Sequence, residues 1–407
     1  MRLRTKKILF AVVFILASIV IGIGLWYLFF RPIFAPEPTL EPPGVPGQLP
    51  TADGGARIPP GEEIPPGSLT PSPTTPGAEP GSGEPSRVTL LQDSVTQSVT
   101  PSSDGQGARF YSPEDGRFYH LLADGTVVRL SDKQFFNVES VSWAKKTDKA
   151  ILEFPDGANV FYDFQTKRQT TLPRHWEDFS FSPDDERVIS KSIGLDERSR
   201  FLVITNPDGG EARAIAPIGK NQDLIIPSWS PNNQIVALAM TGSPQPDGAQ
   251  QILFVGENNE NYKSLIAPGR GFIPNWSPTG KQLLFSVYHE RTELKPEIWI
   301  AGGAGDLIGE NRRGLRLNTW ADKCAWASET SIICGVPQSL GFGAGLAPQN
   351  FRSTPDDVYR VDLTTGVASK INSPDQTHPI RQPVISADGS KLIFTNAVTG
   401  RLYEYDL

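Results

Sequence analysis

Histidine and cysteine, the residues that most often serve as metal ligands or catalytic groups, are few in this chain, and the histidines lie far apart in the sequence. The four histidines are His120, His175, His289 and His378, and none stands in a His-x-His or His-Glu-x-x-His pattern or beside a cysteine. Metal centres and catalytic sites are built from clustered ligands and titratable groups, so this spacing supports neither. We therefore expect surface histidines, and we predict no metal, no cofactor and no catalytic residue.

Other catalytic and nucleic-acid-binding signatures are also missing from the sequence. There is no Gly-x-Ser-x-Gly elbow, and the glycine-rich run at residues 341–345 lacks the Lys-Ser/Thr of a phosphate-binding loop. The 38 basic side chains are outnumbered by 45 acidic ones, which gives a net charge of -7. A protein that holds nucleic acid needs a basic face, so we expect no nucleic-acid partner.

The two cysteines, Cys324 and Cys334, lie on either side of a short turn. If Ala327 faces Ser331 across this turn, Cys324 faces Cys334 on the two strands of a hairpin. Directly opposed residues of an antiparallel pair have Cβ atoms about 4.5 to 5.5 Å apart, which approaches disulfide distance. We predict a cross-strand disulfide; the alternative is a pair of buried thiols.

The elements that position these residues come from an internal repeat. An aromatic or aliphatic residue followed by a Ser-Pro-Asp-Gly-like turn and a short apolar run recurs through the second part of the chain. Clear copies begin at Phe181, Trp229, Trp276 and Ile385, weaker copies at Trp143 and Trp326, and the weakest at Pro101. The spacing of about 38 to 59 residues matches one four-stranded propeller blade with its loops.

Each repeat unit continues with an alternating third strand and a turn, and no segment after residue 31 shows sustained helical periodicity. The sequence therefore predicts an all-β fold, a β-propeller of seven blades. Six or eight blades would follow if the weakest copy is false or a long unit conceals another. The aromatic residues at the repeat starts are expected to fill the wedges between blades.

The two ends of the propeller predict how the ring closes. The sequence ends at Leu407, directly after the third strand of the last unit, whereas the strand-like run at residues 87–91 precedes the first unit. Pairing these two ends would supply the missing fourth strand and remove the open sheet edges. We predict that the N-terminal run closes the seventh blade.

The Phe/Trp-Ser-Pro-Asp-Gly-like turns, without a Gly-His or Trp-Asp dipeptide in each blade, resemble the WD-like propeller repeats of the TolB family and of prolyl-oligopeptidase relatives. The resemblance covers most of residues 100–407 and implies the fold. It leaves the function open, because such propellers serve as protein-binding platforms, peptidase gates and glycan-lyase scaffolds. Neither TolB's additional α/β domain nor a hydrolase domain is recognisable here, so we carry over no partner and no peptidase activity.

Blade topology predicts which loops share a rim. With the first strand innermost, second-to-third loops and blade connections lie together, and the long ones are residues 192–199, 242–250, 288–296 and 337–356. Binding sites are often formed by such long loops on a rigid scaffold. The candidate binding residues on this rim are Phe135, Phe136, Trp176, Phe272, Trp320, Arg270 and Arg381. The alternative is that these aromatic rings pack between blades.

The N-terminal part predicts a membrane anchor and a spacer. Residues 8–30 form a 23-residue stretch without a charge, preceded by Arg2, Arg4, Lys6 and Lys7. This pattern indicates a transmembrane helix with residues 1–7 as a cytoplasmic tail; the alternative, a cleaved signal peptide, fits its length poorly. Residues 36–85 hold 15 Pro and 9 Gly, so we predict a disordered linker over residues 31–86. The propeller domain is residues 87–407.

Together these patterns predict a single-pass protein of the cell membrane with an extracytoplasmic propeller, periplasmic or at the cell surface. Its expected role is a binding or scaffolding module for an envelope protein or a wall glycan. The alternative is an extracytoplasmic glycan lyase or hydrolase, with acids and a histidine meeting at the mouth of the channel. Spatial clustering of the carboxylates with His175, His289 or His378 would favour the enzyme.

Overall fold

Seven four-stranded antiparallel sheets make up the part of the chain that the computed structural model describes, which is Val20 and residues 88–258, 260, 262–371 and 377–407. The predicted cytoplasmic tail, transmembrane segment and proline-rich linker lie outside these residues, apart from Val20. Among the described residues, no helix combines the length and the apolar character needed to cross a membrane.

A single strand, β1 (Val88–Gln92), precedes the blades, and blades 1 to 3 follow in chain order. Blade 1 contains β2 (Gln97–Pro101), β3 (Ala108–Ser112), β4 (Arg117–Leu121) and β5 (Val127–Arg129); blade 2 contains β6 (Ser140–Trp143), β7 (Lys149–Glu153), β8 (Asn159–Asp163) and β9 (Gln169–Leu172). Blade 3 contains β10 (Trp176–Phe181), β11 (Val188–Ser192), β12 (Phe201–Thr205) and β13 (Arg213–Pro217).

Blades 4 to 7 repeat the same order of strands. Blade 4 contains β14 (Ile225–Pro227), β15 (Ile235–Ala239), β16 (Gln250–Gly256) and β17 (Leu265–Ala267); blade 5 contains β18 (Arg270–Trp276), β19 (Gln282–Tyr288), β20 (Pro296–Gly302) and β21 (Arg313–Gly314). Blade 6 contains β22 (Cys324–Ser328), β23 (Ser331–Pro337), β24 (Asp356–Asp362) and β25 (Ala368–Lys370). Blade 7 contains β26 (Ile380–Ile385), β27 (Lys391–Asn396) and β28 (Leu402–Asp406), with β1 as its fourth strand.

The helical elements of the described part are short 3-10 turns in loops and blade connections. They are Glu197–Ser199, Gly219–Leu224, Pro246–Gly248, Glu290–Thr292, Gly305–Leu307, Ala321–Lys323 and Pro348–Phe351. The predicted all-β class is therefore confirmed.

The N-terminal strand closes the ring. β1 pairs antiparallel with β28, and Val88 lies opposite Tyr405, so β1 is the outermost strand of blade 7. This pairing confirms the predicted closure and sets the number of blades at seven. The strand spans residues 88–92 instead of the predicted 87–91, and Arg87 lies outside the described residues.

The hydrophobic core is divided among the blade interfaces. Seven clusters of buried residues are present in the described part of the chain, and each joins two adjacent blades, including blades 7 and 1. Trp143 and Trp229 are buried, whereas Trp276 and Trp326 are half-buried. Most of these indoles also bond to the preceding blade: Nε1 of Trp143 donates to the Ser98 carbonyl at 2.8 Å and Nε1 of Trp276 to Ser228 Oγ at 3.0 Å. These rings are structural, as predicted.

The two rims of the propeller carry different connections. The first strands of adjacent blades approach one another around the centre. First-to-second and third-to-fourth turns then lie on one rim, which we call the short-turn face. Second-to-third loops and blade connections lie on the other, the long-loop face, where the Asp356 N–H donates to the His378 carbonyl at 3.1 Å across two such segments.

The repeated Ser-Pro-Asp-like turn holds itself together through its serine. In blade 3, Ser182 Oγ donates to Asp184 Oδ1 at 2.5 Å and accepts the N–H of Arg187 at 3.0 Å. The residue that follows the acid, Asp185, has a φ of 63°, which is the conformation that Gly supplies in other copies. The weakest copy of the sequence motif shows the same serine-to-acid bond between Ser102 and Asp104 at 2.5 Å.

Candidate binding cleft

A cleft of about 870 Å³ opens on the long-loop face where loops of blades 4, 5 and 6 meet. Its walls include the blade 4 loop at residues 246–249, the blade 5 loop at residues 288–294 and Leu346 of blade 6. A smaller hollow of about 350 Å³ shares Gly248, Ala249 and Arg270 with the cleft and extends it along blade 4. Both volumes lie within the roughly 300 to 1,000 Å³ that ligand pockets occupy.

The long loop of blade 6 leans on the loop of blade 5 and helps to build the cleft. Gly343 N–H donates to the Glu293 carbonyl at 2.9 Å, and Gly345 N–H donates to the Leu294 carbonyl at 2.8 Å. A Cβ at Gly345 would lie 2.4 Å from Cβ of Tyr288, so only glycine permits this approach. The glycine-rich run therefore serves the packing of one loop against another.

Tyr288 is held rigidly at the edge of the cleft. Its ring lies against Gly271, where an added Cβ would come within 2.4 Å of Cε1, and Gly271 has a φ of +68°. Gly345 covers the other end of the side chain. The hydroxyl of Tyr288 makes no hydrogen bond with any described residue. The structure thus fixes the ring and leaves the hydroxyl available to a ligand.

A histidine and a carboxylate meet in the same cleft. His289 Nε2 lies 3.3 Å from Glu297 Oε2, and Trp299 Nε1 donates to the same oxygen at 2.9 Å. The side chains of His289 and Glu297 are 14% and 15% exposed. The other imidazole nitrogen, Nδ1, makes no hydrogen bond with a described residue, and it is accessible to solvent. A fixed carboxylate beside an accessible imidazole can accept or donate a proton.

The strand register explains why these residues meet. Glu297 and Trp299 are two apart on β20, so their side chains share one face. Tyr288 pairs with Pro296 across the hairpin, which places His289 beside Glu297. No Ser, Thr, Cys or Lys lines the described cleft, so it lacks the nucleophiles of serine, threonine and cysteine hydrolases. The groups that it does present support proton transfer and hydrogen bonding.

The charges of the cleft balance. Three arginines line it, Arg270, Arg291 and Arg312, and so do three acids, Asp247, Glu290 and Glu297. Arg291 lies 3.9 Å from Asp247, and the Arg312 guanidinium donates to the Ile266 carbonyl. The side chain of Arg270 is exposed and makes no hydrogen bond or ion pair with a described residue. Among the described lining residues, Arg270 is therefore the arginine whose guanidinium has no partner.

The structure separates the residues predicted to form a binding face. Phe135, Trp176, Phe272 and Trp320 are only 4 to 7% exposed and pack inside the propeller, which is the alternative that the sequence left open. Blade connections carry their aromatic rings inward because those rings fill space beside the adjacent blade. Phe136 is 52% exposed and Arg381 is exposed, but neither lines the described cleft. Arg270 is the predicted residue that does.

The two cysteines are opposed as predicted, but the pairing at the turn differs: Ser331 lies opposite Ser328 instead of Ala327, because the register shifts between Trp326 and Ser328. Cys324 pairs with Cys334 on β22 and β23, and a disulfide joins them with a Cα–Cα distance of 4.1 Å. Both residues are buried among apolar side chains between blades 5 and 6. The link fastens the inner hairpin of blade 6 at its long-loop end.

The other histidines lie outside the cleft. His378 Nδ1 is 3.0 Å from Asn396 Nδ2, its ring centroid lies 4.5 Å from that of Tyr403 with a tilt of 34°, and burial lowers the pKa of His378. His120 Nε2 lies 3.8 Å from the exposed Asp104. The described residues contain no group of three or more His, Cys, Asp or Glu side chains that could hold a metal ion.

Charged groups at the inner start of blade 6 are already paired. Lys323 Nζ lies 2.7 Å from Asp356 Oδ2, with 9% and 0% of the side chains exposed. Burial raises the pKa of Asp356, and the positive charge of Lys323 offsets part of that increase. Asp356 also accepts the N–H of Ile380 at 2.6 Å. We assign this pair a structural role, since it ties a blade connection to β24 and β26.

Comparison with known proteins adds the fold and little else. No family model matches the chain, and no curated protein matches it. An oligogalacturonate lyase in complex with manganese superposes with a TM-score of 0.53 at 16% identity, covering 79% of this chain and 93% of that one. The β-propeller domain of Myceliophteria thermophila Cps50 (Swd1) superposes with a TM-score of 0.53 at 12% identity, covering 78% and 98%. At these identities the likeness shows the propeller fold alone.

Proposed function

We propose that the protein is a membrane-anchored, extracytoplasmic propeller that binds an envelope protein or wall glycan in the cleft on its long-loop face. The observation that carries this proposal is the cleft itself, where loops of three blades surround a free Arg270 and a free Tyr288 hydroxyl. Tyr, Trp and Arg are the residues that dominate binding sites. The apolar segment at residues 8–30 and the resemblance to TolB-type repeats support the anchored, extracytoplasmic setting.

Binding is tested by capture from the cell envelope. Full-length protein in detergent, immobilised, is incubated with envelope material separated into a protein fraction and a protein-free glycan fraction. We expect retention from one fraction by the parent protein and loss of retention by a double variant, Arg270→Ala with Trp299→Ala. Equal retention by the parent and the variant, or retention from neither fraction, would count against the cleft.

The anchored topology is tested independently. We expect the full-length protein to stay in the membrane fraction after a carbonate wash and to be cleaved by protease added outside intact cells or spheroplasts. A soluble protein, or one protected until the membrane is opened, would overturn the proposed setting without touching the cleft.

A second candidate function is an enzyme, a glycan lyase or hydrolase. The contact between His289 and Glu297 in the cleft is the clustering of a histidine with a carboxylate that was expected to favour an enzyme, and a carboxylate-supported imidazole can act as a general acid or base. The solved lyase with this fold adds nothing more than the shared scaffold. This second candidate predicts new reducing ends when envelope glycans are incubated with the protein, and no such product from His289→Ala. Identical product yields from parent and His289→Ala would remove it.

A further inference from the structure

We infer that the ligand of the cleft is an uncharged saccharide chain; this inference rests on the proposed binding function and names its ligand class. The starting point is the composition of the lining. Six of the sixteen lining residues are charged. Three of these six are Asp or Glu, which protein interfaces are depleted in, so this part of the lining is a poor match for a protein partner.

The charge balance argues against a polyanion. The described lining holds three arginines and three acids, so these two sets of charges cancel. Clefts that attract charged polymers are lined by one sign of charge. An acidic glycan would meet Glu290 and Glu297 together with the arginines. An uncharged chain meets no such repulsion.

The free groups suit hydroxyl recognition. A sugar hydroxyl both donates and accepts a hydrogen bond, so its site needs donors and acceptors side by side. Arg270 supplies donors only, Glu290 supplies acceptors, and the hydroxyl of Tyr288 supplies both. The Arg270 guanidinium, the Glu290 carboxylate and the Tyr288 hydroxyl make no hydrogen bond with a described residue. This is the mixture that adjacent hydroxyls of a saccharide require.

The aromatic rings supply rigid apolar surface beside these polar groups. Tyr288 is fixed by Gly271 and Gly345, and the ring of Trp299 is backed by Gly314, where an added Cβ would lie 3.2 Å from the ring. Trp299 is held further by its bond to Glu297. A preorganised surface loses little freedom on binding, which favours the weakly apolar faces of sugar rings.

The test uses full-length protein in detergent and calorimetry with three probes: an uncharged N-acetylglucosamine tetramer, an uncharged cello-tetraose and an oligogalacturonate of the same length. We expect binding of at least one uncharged probe, with an affinity that changes less than about twofold between 50 and 500 mM salt because no ion pairs form. Arg270→Ala and Tyr288→Phe should each weaken that affinity by about tenfold. Arg381→Ala, an exposed arginine outside the cleft, is the matched control and should leave it unchanged.

The outcomes separate this inference from the proposed function. Binding of the oligogalacturonate alone, with strong salt dependence, overturns the uncharged ligand and leaves a glycan-binding cleft. Capture of an envelope protein that depends on Arg270, with no saccharide bound, overturns the saccharide and leaves a binding module. If the parent and the double variant retain the same material in the capture experiment, the proposed function is wrong, and this inference falls with it.

Discussion

On the short-turn face, Asp185 accepts the N–H groups of Lys145 and Lys146 and the Thr147 hydroxyl, so its carboxylate is fully used by the neighbouring blade. On the long-loop face, Arg270 and the Tyr288 hydroxyl have no partner in the described part of the chain. On the short-turn face, polar groups such as the Asp185 carboxylate form hydrogen bonds that hold adjacent blades together. The long-loop face keeps polar groups unpaired on a rigid support. Because Arg270 and Tyr288 line a cleft, their unpaired side-chain groups are available to a ligand.

The short-turn face also contains a buried arginine that links two blades. Arg109 of β3 is 1% exposed, its guanidinium donates to the carbonyls of Ala144 and Thr147, and it lies 3.0 Å from Asp148. Its Cζ stacks over Trp143 at 4.8 Å. Burial lowers the pKa of this guanidinium, and Asp148 opposes that shift. One side chain therefore joins blade 1 to the first turn of blade 2.

The largest expected effect comes from removing this arginine. Arg109→Met should lower the free energy of unfolding by about 3 kcal/mol, because two carbonyls lose their donor and Asp148 loses its cation. Arg168→Ala is the control on the same face; its exposed ion pair with Asp208 contributes about 0 to 1 kcal/mol. Urea unfolding of both variants measures the difference. Equal losses would mean that burial does not set the strength of these links.

Removing the disulfide tests how much a covalent link at the long-loop end of blade 6 stabilises the fold. Cys324 and Cys334 are 10 residues apart, and closing so short a loop stabilises the fold by about 2 to 3 kcal/mol. The Cys324→Ala, Cys334→Ala double variant should therefore unfold at lower urea than the parent. Mass measurement after denaturation and alkylation without reductant checks the link itself. Two alkylated thiols in the parent protein would contradict the disulfide.

Acid should weaken the short-turn face by a smaller amount. Hydrogen bonds from Ser386 and Ser390 lower the pKa of Asp388 to about 2, and Ser182 and Ser102 likewise lower the pKa of Asp184 and Asp104. These carboxyls have lower pKa values in the folded state. Their contribution is present above their ordinary pKa near 4 and is lost as the pH falls through the folded value.

Urea midpoints at pH 5 and pH 3 measure this loss. We expect a lower midpoint at pH 3, and a smaller decline in Ser386→Ala, which lacks one bond to Asp388. An identical decline in the parent and the variant would show that the serine does not stabilise the charged carboxylate.

The smallest effect on stability belongs to the cleft. Arg270→Ala should change the free energy of unfolding by less than about 0.5 kcal/mol, since the side chain is exposed and makes no bond with a described residue. The same variant should lose ligand, as proposed above. A marked loss of stability would show that Arg270 supports the fold. The distinction between structural polar groups on the short-turn face and unpaired ones on the long-loop face would then no longer hold for Arg270.

Much of the fold could be predicted because its signal is local. In blades 1, 3 and 7 a serine, an acid two residues later and an apolar run define the inner hairpin, and in blade 4 Asn232 takes the place of the acid. The same hydrogen bonds recur where the motif is weak, as at Ser102. The register of Cys324 and Cys334 followed from one turn. Ring closure followed from a missing strand at one end and a surplus strand at the other.

The cleft could not be predicted in the same way, because it is assembled from loops of three blades that share no pattern. Composition does not tell whether an aromatic residue on a connection points inward, and Phe272 and Trp320 proved buried. A partial signal was present: the alternation in β20 places Glu297 and Trp299 on one face. The pairing of Tyr288 with Pro296, which brings His289 to Glu297, requires the hairpin to extend into what the sequence suggested was loop.

Ring closure by β1 has a mechanical consequence. A pull on the chain at Val88 acts first on the outermost strand of blade 7, which pairs with β28 on one side and has an irregular register between Leu90 and Gln92. Because an edge strand is paired on one side only, we expect β1 to separate at a lower force than strands that are paired on both sides. If the protein is tethered through its N-terminal segment, tension would therefore open the ring at blade 7, three blades away from the edge that carries the loop at residues 246–249.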